Sequence, residues 1–376
     1  MAEFQIQTSK IMSFSLKNIF VFVALILVAF SPVIASENSQ DSTKKETYNP
    51  VPAIMHHISD SHEWHFWGEG DNSATIHLPV ILWSNGELIG PFLSSKFHYN
   101  NDGHHVVEFN GHKLVRVHGK IYRLNHGQQN ATFDDQHHVS NATVPIDFSI
   151  TKNVASMLFA LVLLLLFFGI SGSKAKKNKS APSGLLSFLE PLVLFVRDDI
   201  VKPNIGKNYQ KYLPYLLTLF FFILMNNLVG LLPGSANVTG NIAITLVLSF
   251  ITLLVTNISG NKSYWGHIFN PPGVPLALMP IMIPIEIVGI FTKPFALMIR
   301  LFANISAGHI IILSLISLIF MAQSGLGDVA AWSLSPVAVL FVLFMDLIEV
   351  LVAFLQAYIF TLLTSLFIGL ATVDHH

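Results

Sequence analysis

Five polar side chains punctuate one long apolar run of this chain: Glu286, Lys293, Arg300, Asn304 and His309. A second apolar run carries Asp346, Glu349 and Gln356. A charge in such surroundings costs on the order of 3 kcal/mol or more in hydrocarbon, so it is kept where a pathway or a partner uses it. The residue types divide the chemistry. Arg300 holds its proton at any accessible pH and cannot relay one; its use is electrostatic, favouring deprotonation of an approaching carboxylate and opposing a free cation. His309 and Glu349 titrate and are the candidates for an aqueous access route. Asn304 and Gln356 hydrogen-bond a guanidinium or hydration water without adding charge. Glu286 and Lys293 line one side of the path or form an interfacial pair, and Asp346 reads as water-facing or structural rather than as an accessory channel group.

Spacing sharpens this division. Glu286, Lys293 and Arg300 are seven residues apart. At about 100° per residue they form one slowly drifting stripe, provided Pro294 leaves the helix phase intact, and Asn304 brings the stripe back into line. His309 is nine residues beyond Arg300, so it points about 180° away and lies roughly 13.5 Å further along. The arginine and the histidine therefore serve different surfaces. Glu349 and Gln356 are again seven apart. In an antiparallel pair, a register with Gln356 opposite Arg300 brings Glu349 to the height of His309. The small residues Ala303, Ser306, Ala307 and Gly308 permit close helix packing and carry no further meaning at this level.

The elements that must hold these groups are membrane helices. Of 376 residues, 52% are hydrophobic and 11% charged, a membrane composition. A net charge of −1 without a long basic tract gives nucleic acid no footprint, and the lack of cysteine excludes disulfides and thiolate-ligated metals. Residues 1–35 read as a signal peptide: Lys10 and Lys17 precede the apolar Ile19–Phe30, and Val33 and Ala35 suit the small positions before a cleavage. An uncleaved anchor is the other reading, and either one exports the next segment. Residues 36–150 then form a polar, His-rich, β-containing extracytoplasmic domain. L-P-V-I-L-W-S-N-G-E-L-I-G turns on Asn-Gly, and V-V-E-F-N-G-H-K-L-V-R-V-H-G-K-I-Y-R-L repeats the pattern. Its thirteen histidines, including His56, His57, His104, His105, His137 and His138, lack a compact ligand spacing and read as solvated surface groups rather than a metal site.

Residues 151–376 form the membrane domain. A span at about 153–171 is followed by Lys174, Lys176, Lys177 and Lys179, which by the positive-inside rule puts that loop in the cytoplasm and the preceding domain outside. G-L-L-S-F-L-E-P-L-V-L-F-V-R-D-D-I-V-K-P reads as an amphipathic helix along the interface. Spans at 212–232 and 241–258 form a hairpin, and a cytoplasmic loop comes next. The apolar runs 276–321 and 334–371 are too long for perpendicular spans: forty helical residues reach roughly 60 Å, about twice the hydrocarbon thickness. They must tilt strongly or break, and Pro280, Pro284 and Pro294 favour breaks or bends. The expected fold is all-α and polytopic, with five mature crossings, the interfacial helix, two long tilted C-terminal helices and a small β-rich exported domain in front. The C-terminus falls in the cytoplasm.

R-L-F-A-N-I-S-A-G-H together with E-V-L-V-A-F-L-Q-A-Y-I-F resembles subunit a of the F-type ATP synthase membrane sector. The likeness covers roughly residues 150–372, with L-L-P and T-G-N-I-A-I-T supporting it around the hairpin. It implies that Arg300 is the family's essential arginine, Asn304 its following asparagine, Gln356 the last-helix glutamine and Glu286 an acidic position of the cytoplasmic half-channel. His309 and Glu349 correspond to an acidic/histidine pair of the other half-channel, which some members carry in exchanged order. Gly230 stands where some relatives have an acidic group before L-L-P, and the long exported domain departs from the short amino-terminal region of many members. The resemblance further implies two offset half-channels, a c-ring against the long helices, and proton flow that turns the ring. It implies a peripheral-stalk subunit b, the remaining ATP synthase subunits and membrane lipids as partners, and an inner-membrane location. No cofactor is expected. No G-x-x-x-x-G-K-[ST] loop is present, so the chain has no sequence basis for hydrolysing ATP itself. Two other classes compete: a proton-coupled secondary transporter, which calls for paired repeats with interrupted helices, and a membrane scaffold whose charges serve packing alone.

Overall fold

A computed structural model describes residues 48–67, 74–98, 100–125, 127–134, 139–177, 184–232, 234–270, 275 and 278–372. The expected signal peptide 1–35, Lys179 and the last residues of the chain lie outside these.

Among the described residues a short helix, α1 (Val51–Ile58), comes first and is followed by nine strands. Strand β1 (Glu63–Trp67) pairs antiparallel with β2 (Ala74–His77). β3 (Pro79–Ser84) lies between β4 (Glu87–Leu93) and the two-residue β9 (Ile146–Asp147). β5 (Asp102–Phe109), β6 (His112–Val117), β7 (Lys120–Leu124) and β8 (Ala142–Thr143) follow one another in a four-stranded sheet. The tight hairpins rest on left-handed residue pairs: Asn85–Gly86, Asn110–Gly111 and His118–Gly119 all have positive φ, as two-residue turns matching the strand twist require. Val80, Leu82, Ile89, Phe92, Phe97, Val107, Leu114 and Ile121 form the core of this domain. Arg116, buried beneath it, donates to Glu63 Oε1 at 2.6 Å and so ties β1 to β6.

Among the described residues five helical stretches are long and apolar enough to cross a membrane. They are α2 (Lys152–Lys177), a segment over Leu185–Gly230, α5 (Ile242–Ser259), α7 (Met279–Leu326) and α8 (Asp328–Thr372). The protein is a multi-pass membrane protein with two very long C-terminal helices behind a β-rich region.

Local details differ from the sequence expectations. The stretch read as a separate interfacial helix runs on without an extended break: α3 (Leu185–Phe195) passes through a π-turn at Val196–Val201 to Ile205, bends where Gly206 adopts a φ of 71°, and continues as α4 (Tyr209–Gly230). The loop after α5 contains a helix, α6 (Lys262–Phe269), capped by Asn261, whose side chain accepts from Tyr264 N at 2.8 Å. The long helices do not break. Pro284 and Pro294 sit inside α7, and Pro336 inside α8. Each proline removes one ladder donor, a loss that neighbouring helices and local adjustment accommodate within a membrane bundle. The residues between the two apolar runs, 322–333, are helical on both sides of a one-residue joint at Gly327, whose φ is 92°. At about 1.5 Å per residue α7 and α8 each reach roughly 70 Å, so crossing a 30 Å layer demands a steep tilt.

The bundle core packs α4 against α8, with Leu216, Phe220, Ile223, Phe360 and Ile368 buried together with Leu297 and Leu301 of α7. Small polar groups join the helices where backbones approach. Asn204 donates to Ser365 Oγ at 3.1 Å, and Tyr215 Oη lies 3.2 Å from Thr252 Oγ1.

Candidate functional site

His309 and Glu349 come together between α7, α8 and the end of α4. His309 Nδ1 lies 3.7 Å from Glu349 Oε2 and 3.2 Å from the Ile305 carbonyl, and Nε2 lies 3.2 Å from the Gly230 carbonyl. A neutral imidazole has one N–H and can satisfy one of those two carbonyls; the imidazolium donates to both while facing the carboxylate. Glu349 is 8% exposed, and its Oε1 is buried without a hydrogen-bond partner. A buried carboxyl oxygen with no partner calls for a proton or a water. Glycine makes the pocket possible. A Cβ at Gly308 would stand 2.9 Å from the carboxyl carbon of Glu349 and closer still to Oε1.

Around this pair α4 supplies buried asparagines. Asn227 donates to the Ala353 carbonyl of α8 at 3.1 Å and accepts from Thr239 Oγ1 at 2.6 Å. Asn226 donates to Phe222 O, and its own Oδ1 is buried without a partner. Ser306 donates to Gly240 O at 3.3 Å, joining α7 to the turn before α5. Together these form a polar seam within an apolar bundle.

Arg300 faces away from that seam. It is exposed on α7 and makes no hydrogen bond or ion pair with any described residue, beside the exposed Ala296, Ala303, Asn304 and Ala307. Gln356 is buried on α8 with Ala353 and Ala357, on the same inner face as Glu349. The structure thus brings His309 to Glu349 but does not join Arg300 to Gln356. Asp346 is half-buried one turn before Glu349.

Glu286 and Lys293 are exposed toward the other end of α7. Lys293 Nζ stands 5.7 Å above the Phe367 ring. Beside it is a small cleft lined by Thr256, Asn257, Tyr264, Lys293, Pro294 and Phe367. Tyr264 donates to Asn257 Oδ1 at 3.0 Å. Burial, reinforced by the nearby Glu286 charge, pushes the Tyr264 hydroxyl above its ordinary range. Glu286 therefore acts on α6, which lies within the expected cytoplasmic loop. Tyr264, Asn257, Asn226, Asn227 and Gly308 line these two regions and are not singled out by the sequence alone as candidates. The asparagines carry a signal in hindsight, since amides in apolar runs need partners; Gly308 was read only as a packing residue. No group of three or more His, Asp or Glu among the described residues is arranged to hold a metal ion.

Comparison with known proteins divides the chain in the same place. Residues 53–148 match a domain of unknown function, DUF8433. Residues 154–369 match the family described as ATP synthase A chain. The chain is 48% identical to an ATP synthase subunit a of Chloroherpeton thalassium over 236 residues, 61% of this chain and 69% of the relative. It is 51% identical to that of Chlorobium phaeobacteroides over 233 residues, 60% of this chain and 67% of the relative. With that of Myxococcus xanthus it shares 44% identity over 239 residues, 61% of this chain and 76% of the relative. These matches span about two thirds to three quarters of the relatives and more than half of the chain, over the helices that carry the His309–Glu349 pair and Arg300. The chain belongs to the ATP synthase A chain family.

Proposed function

We propose that this chain is the stator subunit through which protons cross the membrane to drive the rotor of an F-type ATP synthase. The observation that carries the reading is the opposition of two sites on α7. An exposed guanidinium stands mid-helix, about 32 Å from one end of α7 and about 39 Å from the other. On the other side of the same helix a half-buried imidazole meets a buried carboxyl. An unpaired charge on an apolar face needs a partner of opposite charge, and the small side chains around Arg300 let another helix come close. A c-ring presenting one carboxyl per subunit meets both needs.

In this mechanism protons enter from the side of the N-terminal domain, pass His309 and Glu349, and neutralise a ring carboxyl. That neutral carboxyl can then travel through the lipid. After nearly a full turn it meets Arg300, whose positive charge favours loss of the proton into a second half-channel near Glu286, Lys293 and the Tyr264 cleft. Arg300 also opposes direct passage between the half-channels. Asn304, on the same exposed face of α7, hydrates the guanidinium region, Gln356 lines the inner face with Glu349, and Asp346 is accessory. Remote soluble subunits make the ATP, so the chain itself is a non-catalytic channel component. Subunit b, the other synthase subunits and lipids complete the assembly. The reading divides the chain into a leader 1–35, a periplasmic domain 36–150 and a membrane domain 151–376, with the C-terminus in the cytoplasm of an inner membrane. The reading takes the proton as the transported ion, because His309 and Glu349 both exchange protons, while selectivity against sodium depends largely on the ring carboxyl site, which lies outside this chain.

The test is Arg300→Ala in the assembled complex reconstituted into vesicles. Proton-driven ATP synthesis should be abolished; normal coupled synthesis would overturn the assignment. Varying proton and sodium gradients separately in the unaltered complex should show that the proton gradient alone supports synthesis.

A further inference from the structure

α6 follows α5 after only Gly260 and Asn261 and folds back against it. Tyr264 donates to Asn257 Oδ1 in the last turn of α5 at 3.0 Å, and Asn261 donates its N–H to the Ala371 carbonyl of α8 at 3.0 Å. A Cβ at Gly260 would stand 2.5 Å from the Tyr264 ring and 3.1 Å from Trp265 Nε1, so only glycine lets the chain fold this tightly. Ile268 is buried and seats the helix. α5 has 18 residues, about 27 Å of helix and close to the thickness of a hydrocarbon layer. Tied to the ends of α5 and α8, α6 therefore lies where that layer meets water.

One face of α6 is built for that boundary. At about 100° per residue, Lys262, Trp265 and Phe269 fall within about 60° of one another. All three are exposed, Trp265 by 37% and Phe269 by 54%. The two rings stack at 6.1 Å with 17° between their planes. Water gives an exposed indole–phenyl pair no reward, whereas amphipathic rings are at home among lipid headgroups. The apolar surface is continuous with a membrane-facing row, since Ile251, Leu254 and Ile258 at the same end of α5 are exposed as well. Charge points the same way: α6 carries Lys262 and His267 and no acidic residue. Glu286 acts on α6 through Tyr264, about 160° round the helix from Lys262. We propose that α6 is an interfacial anchor, with Trp265 and Phe269 in the headgroup–acyl boundary of the leaflet at this end and Lys262 drawing anionic phospholipid to them. An anchored α6 also steadies Tyr264, a wall of the cleft beside Lys293. The proposal stands on the membrane-crossing helices alone and not on the proton path.

The chain has no cysteine, so Phe269→Cys carries a single nitroxide label in the full chain, reconstituted in vesicles of phosphatidylcholine and phosphatidylglycerol. Relaxation of the label by oxygen, which concentrates in lipid, is compared with relaxation by a water-soluble nickel chelate. Val247→Cys, on the exposed side of α5, gives the lipid reference, and Gln129→Cys, exposed in the N-terminal domain, the aqueous one. The oxygen-to-nickel ratio at position 269 should exceed the aqueous reference several-fold, before and after assembly with the other synthase subunits. Adding Trp265→Ala should drop the ratio toward the aqueous value, and Trp265→Phe, which keeps a ring, should largely restore it. A ratio equal to the aqueous reference puts the face in water, and shielding from both probes puts protein over it; either overturns the proposal. With headgroup-labelled fluorescent lipids, quenching by the nitroxide should report about fivefold enrichment of phosphatidylglycerol over phosphatidylcholine, lost in Lys262→Gln. Equal quenching of the two lipids by the parent chain overturns the assignment of anionic lipid.

Discussion

At the scale of single residues, the site depends on what His309 and Glu349 are denied. Two carbonyls face the two ring nitrogens, and the outer oxygen of Glu349 has no partner. Either proton position leaves a polar group wanting, so the pair is poised between protonation states rather than locked in one. Gly308 keeps the carboxyl in place by having no side chain. We expect Gly308→Ala to displace Glu349 at a cost of about 1–3 kcal/mol and to lower proton flux at least tenfold in assembled complexes. Flux equal to the unaltered protein would show that the carboxyl relaxes freely. A second residue-scale prediction concerns Asp147. Burial raises its carboxyl, but hydrogen bonds from His62 and Ser149 outweigh that and hold it below the ordinary carboxylate range. A depressed carboxylate contributes stability above its unfolded value, and that stability is lost as pH falls through the folded one. Thermal unfolding of the N-terminal domain should therefore be insensitive to this group at neutral pH and weaken below about pH 4, and Asp147→Asn should flatten that acid limb. An acid limb as steep in the variant as in the parent would remove Asp147 from the account.

At the scale of elements, the helices and hairpins were legible where local chemistry decides them. Asn-Gly pairs between alternating apolar residues became tight turns at Asn85–Gly86 and Asn110–Gly111. Hydropathy located the long apolar helices to within about six residues, the largest misses being the end of α2 and the start of α8. What local chemistry does not decide was missed. α1 is a mostly apolar octamer with a proline and two adjacent histidines; it lies unmarked inside the block read as polar and packs on α7. The apolar runs end at 321 and start again at 334, yet both helices continue into the polar stretch between them and meet at Gly327. The joining of α3 to α4, and the Trp64–Gly234 contact across 170 residues, are decided by tertiary packing. At the site, His309 and Glu349 could be paired from spacing because helical phase is rigid. Arg300 and Gln356 could not, because which face turns inward depends on the whole bundle. One inter-element contact makes a test. Asn227 bridges α4, α8 and the turn at Thr239. Asn227→Leu leaves Ala353 O and the Thr239 hydroxyl without it, and should destabilise the detergent-solubilised protein by about 1–3 kcal/mol, seen as a lower melting temperature. An unchanged melting temperature would mean that water replaces the amide and that the seam is already wet there.

At the scale of the whole molecule, the apolar surface that remains exposed separates what the chain needs to fold from what it needs to work. Arg300 shares its face of α7 with Ala296, Ala303 and Ala307, all exposed, whereas the residues that hold the fold lie on the opposite side. If that face exists to receive a rotor helix, a bulky residue there should harm the assembly and spare the subunit. Ala303→Trp meets only lipid or detergent in the isolated chain, and its effect on the melting temperature should stay within about 0.5 kcal/mol, as for surface substitutions generally. In the assembled complex the indole would stand where the rotor must pass within one turn of Arg300. ATP-driven proton pumping should fall more than tenfold, and ATP hydrolysis by the soluble sector, measured after its release from the membrane, should be unaffected. The pairing of outcomes is what discriminates. A scaffold would tolerate the indole in both settings, because nothing slides past it. A secondary transporter would tolerate it as well, because its substrate path lies inside the bundle rather than on an outer helix face. Normal pumping by an assembled Ala303→Trp complex would therefore remove the rotor from this face and, with it, the explanation for leaving a guanidinium unpaired there.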